Sequence, residues 1–122
     1  MTARRTGRGR SAALIAAGFG ACICLGAALA QSVGERHVIS QKNREFAPGR
    51  IAVAPGDVVV FQNDDKTDHH IMARSGPTDF SSRLLPRGAS YEVEIAEEGT
   101  WEIGCRIHPR MQLMIRSRAP SS

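Results

Sequence analysis

The sequence is poor in two features, helical periodicity and cysteine. Apolar residues at the three- and four-residue spacing of an amphipathic helix are almost missing from residues 31–122. The same range contains one cysteine, Cys105, and therefore no pair that could form an internal disulfide. Repeats and low-complexity tracts are missing between residues 31 and 118. These gaps exclude a helical bundle, a disulfide scaffold and a repeat protein.

Excess charge is also missing from most of the chain. The formal net charge is +4, but Arg4, Arg5, Arg8 and Arg10 supply all of it. Residues 31–122 contain 12 Lys and Arg against 12 Asp and Glu. A basic domain would favour a polyanionic partner, and this balance argues against nucleic acid as one.

The first part of the chain has the pattern of a secretory signal peptide. A basic stretch ends at Arg10, an apolar run extends from Ser11, and small residues close it at Ala28-Leu29-Ala30. We therefore expect residues 1–30 to be a signal peptide and 31–122 to be an exported, periplasmic domain without stable membrane insertion. An uncleaved anchor is the alternative, since about 20 apolar residues can span a bilayer.

The remaining chain consists of short apolar or alternating runs separated by turn signals, which is typical of strands. Predicted strands cover residues 37–40, 51–53, 58–62, 69–74, 91–95, 101–105 and 112–116. His37, on the first of them, is interpreted as an ordinary solvent-facing histidine. About seven strands at this spacing, with no credible helix, predict an all-β sandwich.

Candidate ligands are concentrated in Cys105-Arg106-Ile107-His108-Pro109-Arg110-Met111. This segment places a thiolate, an imidazole and a thioether within one short loop after a strand, and the strand that begins at His69 offers a second imidazole. Two His, one Cys and a weak axial Met form the ligand set of a mononuclear blue copper site. Structural zinc sites normally use only Cys and His, and the short step from Cys105 to His108 suits metal ligation better than a catalytic Cys-His pair.

The loop, together with the preceding Gly99–Gly104, resembles the copper loop of small cupredoxins, above all the amicyanin type with two residues between His and Met. Phe46-Ala47-Pro48 and Gly56–Asn63 resemble early strands of the same family. The resemblance covers about residues 36–118. It implies a cupredoxin-like Greek-key β-sandwich of about seven to eight strands with one type 1 copper. The implied ligands are His69, Cys105, His108 and Met111.

The first histidine ligand is ambiguous, because His69 and His70 are adjacent. In the family this histidine lies about six residues after an Asn that ends the preceding strand, and counting from Asn63 gives His69. His70 would then replace the Asn that usually steadies the cysteine loop. His70 as the ligand is the alternative.

The resemblance implies a periplasmic one-electron carrier, which is not an enzyme and is expected to be a monomer. Its partner would be a redox protein such as a cytochrome or a dehydrogenase, and Arg106 and Arg110 could steer an acidic face of that partner. Copper oxidases and nitrite reductases need more domains, and a dinuclear centre needs two cysteines. A copper-binding or chaperone protein that uses the same ligands without rapid redox cycling is the alternative function.

Overall fold

The structure is a computed structural model that describes residues 16–18, 20 and 34–121. The predicted signal peptide lies outside these residues apart from four positions, so it stays a prediction. Within the described part of the chain, no helix is long and apolar enough to cross a membrane.

Residues 34–121 contain eight strands and no helix. The strands are β1 (Arg36–Lys42), β2 (Glu45–Ala47), β3 (Arg50–Val53), β4 (Asp57–Asn63), β5 (Ile71–Ser75), β6 (Ser90–Ile95), β7 (Gly99–Cys105) and β8 (Gln112–Ser117). They form two four-stranded sheets, in the orders β2-β1-β4-β6 and β3-β8-β7-β5. The parallel pairs β1–β4 and β3–β8 make both sheets mixed. The predicted all-β sandwich is confirmed.

Alternation along the strands fills the space between the sheets. In β7, Trp101, Ile103 and Cys105 are buried while Thr100 and Glu102 are exposed. A large apolar side chain contributes about 1.5–3 kcal/mol when it is fully buried. The fully buried side chains of this core include Ile39, Val59, Phe61, Ile71, Ile95, Trp101, Ile103, Leu113 and Ile115.

The loop after β5 is held against the core by Trp101. The indole Nε1 donates a hydrogen bond to the Thr78 carbonyl at 3.1 Å. Gly76 has a φ of 141°, and a Cβ there would lie 2.3 Å from Cδ1 of the same indole. Glycine is therefore required at this position for both conformation and space.

One strand was missed by the sequence analysis. β2 pairs with β1 through a two-residue turn at Asn43 and Arg44, both at positive φ (54° and 57°). Asn is common in such turns, but Arg at positive φ is not, so the local sequence gave little hint of a hairpin. Phe46 of β2 is buried and meets Phe61 edge-on, with ring centroids 6.1 Å apart. This contact joins β2 to the hydrophobic core.

The interpretation of His37 as a solvent-facing residue is wrong. Its Nε2 lies 2.9 Å from Oδ2 of Asp57, and its side chain is only 19% exposed. Asp57 also accepts hydrogen bonds from the amides of Glu35 and Ala54, each at 2.9 Å. The tertiary pairing of β1 with the start of β4 creates this contact, which a periodicity argument on one strand cannot detect.

Candidate metal centre

Three of the four predicted ligands meet at one end of the sandwich. Cys105 is the last residue of β7, and its Sγ lies 3.7 Å from Nδ1 of His69 and 3.7 Å from Nδ1 of His108. The two histidine Nδ1 atoms are 3.2 Å apart. His69 and Cys105 are buried, and His108 is partly exposed. The structure therefore gathers one sulfur and two nitrogens from segments 36 residues apart along the chain.

The triangle formed by these atoms has the size that a metal ion requires. The point equidistant from its corners lies about 2.1 Å from each atom, given the measured sides, close to the ~2.0–2.3 Å of metal–nitrogen and metal–thiolate bonds. One metal ion could therefore be held by His69, Cys105 and His108 together. A trigonal His₂Cys arrangement is the one that blue copper sites use.

Met111 closes the short loop that carries His108. The Met111 amide donates a hydrogen bond to the His108 carbonyl at 3.0 Å, and Pro109 at the second position of this turn presets its φ. The Met111 side chain is 1% exposed and belongs to the same core cluster as Cys105. The loop thus turns the Met111 thioether inward, into the hydrophobic core.

Arg74 ties the same loop to the neighbouring strand β5. Its Nη2 donates a hydrogen bond to the Pro109 carbonyl at 2.9 Å. The guanidinium lies over Gly104, where an added Cβ would come within 2.2 Å of it. A side chain at position 104 would therefore push Arg74 away from the loop.

The two adjacent histidines have different surroundings. The His69 ring points to the donor cluster, whereas Nε2 of His70 lies 2.9 Å from Oγ of Ser81. The backbone amide of His70 points to Sγ of Cys105 at 3.4 Å, and its carbonyl accepts the Arg106 amide at 3.0 Å. His70 therefore contacts the thiol through its backbone. The geometry favours His69 as the first histidine ligand, and coordination by these residues stays a prediction.

The loop between β4 and β5 fixes the position of His69. The His69 amide donates a hydrogen bond to the Leu85 carbonyl at 3.0 Å, and the Leu85 amide donates one to the His69 carbonyl at 2.7 Å. Asn63, at the end of β4, donates to the carbonyls of Thr67 and Leu85 and accepts the Asp65 amide through Oδ1. The whole turn is thereby anchored on one buried amide side chain.

Asp65 contacts the remaining ring nitrogen of His69, and the sequence analysis missed it. Its Oδ2 lies 3.0 Å from Nε2 of His69. Partial burial raises the pKa of Asp65, but hydrogen bonds from the Arg44 and Lys66 amides and from His69 outweigh it, so its pKa lies below the usual value. Asp65 lies in a stretch that reads only as a polar loop, so no sequence signal distinguishes it.

The surroundings of His108 lower the pKa of its imidazole. Burial lowers the pKa of His108, the neighbouring His69 and Arg44 lower it further, and Asp65 opposes the shift. A metal ion binds the neutral imidazole, whose nitrogen lone pair is free. The lowered pKa therefore weakens the binding of a proton to the His108 imidazole, with which a metal ion would compete.

His108 opens onto a surface groove between the β1–β2 turn and the ligand loop, defined here as Cys105–Met111. Ile107, beside it, is 45% exposed. Arg106 and Arg110 are exposed on the same loop. The groove is lined by Asn43, Arg44, Glu45, Ile107, His108, Pro109 and Arg110.

Solved structures share this architecture. A copper-containing nitrite reductase (NirK) from Thermus scotoductus SA-01 superposes with a TM-score of 0.65 at 24% identity, over 70% of this chain but only 23% of that chain. A purple cupredoxin from Nitrosopumilus maritimus gives 0.62 at 21% identity, over 67% of this chain and 99% of that chain. Amicyanin from Paracoccus versutus gives 0.63 at 16% identity, over 68% and 81%.

Searches of protein-family models and of curated proteins returned no match. The structural likenesses establish the fold. The described residues 34–121 form an all-β sandwich with a His₂Cys donor cluster and a buried Met, Met111, on the loop that carries His108. Its fold is that of the cupredoxins, as the sequence resemblance implied.

Proposed function

We propose that this protein binds one copper ion through His69, Cys105, His108 and Met111 and works as a one-electron carrier. The observation that carries the proposal is the triangle of Sγ and two Nδ1 atoms, with sides of 3.7, 3.7 and 3.2 Å. A thiolate and a thioether favour Cu(I), and imidazole serves both oxidation states. Zinc sites rarely use Met, so this donor set fits copper better than zinc.

The chain's own residues hold the donors in a fixed arrangement. The His70 amide faces the Cys105 sulfur, Asp65 holds the His69 ring, and Arg74 holds the loop that carries His108. Bound copper would supply the redox chemistry, gaining one electron as Cu(II) becomes Cu(I) and losing it again. Because the donors are held by the protein, we expect little rearrangement between the two states and hence rapid electron transfer.

The donor and the acceptor of the electron would be redox proteins that dock at the groove beside His108. His108 is partly exposed whereas His69 and Cys105 are buried, and Ile107 and Pro109 offer apolar surface beside it. Arg44, Arg106 and Arg110 surround this contact and outnumber Glu45. An acidic face, on a cytochrome or a dehydrogenase, is the complementary partner.

Charge reversal tests this docking surface. Arg106→Glu with Arg110→Glu should slow electron transfer with an acidic redox protein at least tenfold at low ionic strength, with the difference shrinking as salt screens the charges. Arg87→Glu with Arg83→Glu is the matched control, on the loop before β6. Equal rates for all three proteins would contradict steering by the ligand loop.

We further propose that the protein acts in the periplasm as a carrier and is not itself an enzyme. The basic and apolar pattern of residues 1–30 supports export. The likeness to nitrite reductase spans 23% of that chain, which is consistent with a shared domain rather than a shared reaction. Mass spectrometry of the exported protein should give the mass of residues 31–122, and a mass that includes residues 1–30 would contradict cleavage.

The copper site itself is tested by the visible and electron-paramagnetic-resonance spectra of the protein loaded with Cu(II). We expect intense blue absorption and narrow copper hyperfine splitting, both lost in Cys105→Ser. His70→Ala should retain the blue absorption. A pale tetragonal spectrum in the unmodified protein would contradict the electron-carrier function and favour copper storage or delivery.

A further inference from the structure

The second ring nitrogen of His69 faces a carboxylate that is built into the site. Oδ2 of Asp65 lies 3.0 Å from Nε2 of His69, with side-chain exposures of 12% for Asp65 and 0% for His69. The histidine therefore donates its Nε2–H to Asp65, which leaves the Nδ1 lone pair directed at the donor cluster. This hydrogen bond decides the tautomer that a metal ion needs.

The carboxylate is itself fixed from several sides. Its Oδ2 also accepts the Arg44 amide at 2.9 Å, and its Oδ1 accepts the Lys66 amide at 2.9 Å. The Asp65 amide donates to Oδ1 of Asn63 at 2.8 Å. Arg44 provides its amide from a left-handed conformation with φ of 57°. The β1–β2 turn and the end of β4 thus converge on Asp65.

A carboxylate paired with a ligand histidine increases the electron donation of the imidazole and places negative charge close to the ion. Both effects stabilise Cu(II), the oxidation state of higher charge, more than they stabilise Cu(I). At the low exposure of this pair, solvent screens that charge poorly.

On the basis of the proposed copper site, we propose that Asp65 is a positioning residue that orients His69 and lowers the reduction potential by favouring Cu(II) over Cu(I). Its role is distinct from that of the ligands, because it acts only through His69. Asp64, the adjacent carboxylate, is exposed and bonds to Oγ of Ser40 instead. Asp64 therefore serves as a control, because it carries the same negative charge in the same loop but does not contact His69.

The experiment compares Asp65→Asn with Asp64→Asn, each with the same change of charge. The potential of the copper-loaded full-length protein is measured by redox titration of the blue band. Asp65→Asn should reduce the preference for Cu(II) over Cu(I) at least tenfold, which raises the potential by 59 mV for one electron. Asp64→Asn should change that preference less than twofold. Equal shifts in the two variants, or no shift, would overturn the proposal.

A second readout does not depend on copper. Long-range ¹H–¹⁵N spectra of the metal-free protein report the His69 tautomer, which should be Nε2–H in the unmodified protein and in Asp64→Asn. Asp65→Asn should give a mixture, and Asp65→Glu should restore the single form. An unchanged tautomer in Asp65→Asn overturns the positioning role. If the unmodified protein has this tautomer but no blue spectrum, the proposed function fails and the proposed effect on the potential fails with it, while the orienting contact stands.

Discussion

The two ends of β4 carry the same pair of residues in two different settings. At its first residue, Asp57 contacts His37 at 2.9 Å, and just beyond its last residue, Asp65 contacts His69 at 3.0 Å. Each histidine also belongs to a group of three side chains whose donor atoms lie within 4.8 Å of one another. A strand of this length separates the two ends by about 20 Å. The pair alone therefore does not define a metal site.

The two histidine–aspartate pairs differ in the third side chain of each group and in the burial of the histidine. His69 is fully buried, and its other nitrogen faces a thiol and a second imidazole. His37 is partly exposed, and within residues 34–121 its group of possible ligands is completed by the carboxylate oxygens of Glu35 and Asp57. Asp57 also caps backbone amides of Glu35 and Ala54. One pair orients a soft donor cluster, and the other fastens β1 to the turn before β4.

The sharpest test of this contrast replaces each histidine in turn. His69→Ala should abolish the blue absorption, because the trigonal plane loses one of its three donors. His37→Ala should leave the spectrum and the copper affinity unchanged. Titration with Cu(II), followed in the visible range, measures both. Strong blue absorption in His69→Ala would show that the sequence alternative, His70, can serve as a ligand.

A stability measurement separates the two aspartates by function. Asp57→Asn should lower the free energy of unfolding by about 2–3 kcal/mol, since a buried carboxylate that accepts several hydrogen bonds is replaced by a group that matches them poorly. The blue spectrum should be unchanged. Urea unfolding of the metal-free protein provides the number, with Asp79→Asn as an exposed control. A change below about 0.5 kcal/mol, the usual range for surface sites, would contradict the fastening role.

The pH dependence gives a smaller effect with a defined sign. Burial raises the pKa of Asp57, but the Ala54 amide, His37 and the Glu35 amide outweigh it, so its pKa in the folded state lies below the ordinary 3.8. As the pH falls, the unfolded state therefore binds the proton first. The stabilisation is complete above the ordinary value and is lost as the pH falls through the folded value.

Unfolding of the metal-free protein, measured from about pH 6 to about pH 2.5, should thus show a loss of stability in acid. The loss should be smaller in Asp57→Asn, which has no proton to bind at this position. Parallel curves for the two proteins would contradict the shift. Chelation before the titration keeps the ligand cluster from contributing through a bound metal.

Much of the fold was predictable because alternation is a local property. The runs at 58–62, 91–95 and 101–105 became β4, β6 and β7 with small extensions. The loop from Cys105 to Met111 was also predictable, since three donor types in seven residues rarely coincide. β2 was missed for two reasons. A strand of three residues is too short to show an alternation of apolar and polar side chains, and the turn before it contains an Arg at positive φ, which is uncommon.

The side-chain contacts around the donor cluster could not be predicted in the same way. Asp65 and Arg74 carry no sequence pattern, and their roles depend on His69 and on the Pro109 carbonyl, which other segments place beside them. The choice between His69 and His70 depended on a count from Asn63. The structure adds a physical reason, since the His69 ring faces the thiol of Cys105 whereas the His70 ring contacts Ser81.

The sequence by itself determined the all-β class, the kinds of donor on offer (one thiol, one thioether and several imidazoles), and the neutral formal charge of residues 31–122. These depend on period, composition and short spacing, which are fixed along the chain. Only the tertiary structure decided which histidine faces Cys105, which carboxylate orients it, and which of two histidine–aspartate pairs is a site. Those outcomes depend on tertiary contacts between distant segments. The pairing of β5 with β7, for example, sets Ile71 opposite Cys105 and brings His69 and Cys105, 36 positions apart, within 3.7 Å of each other.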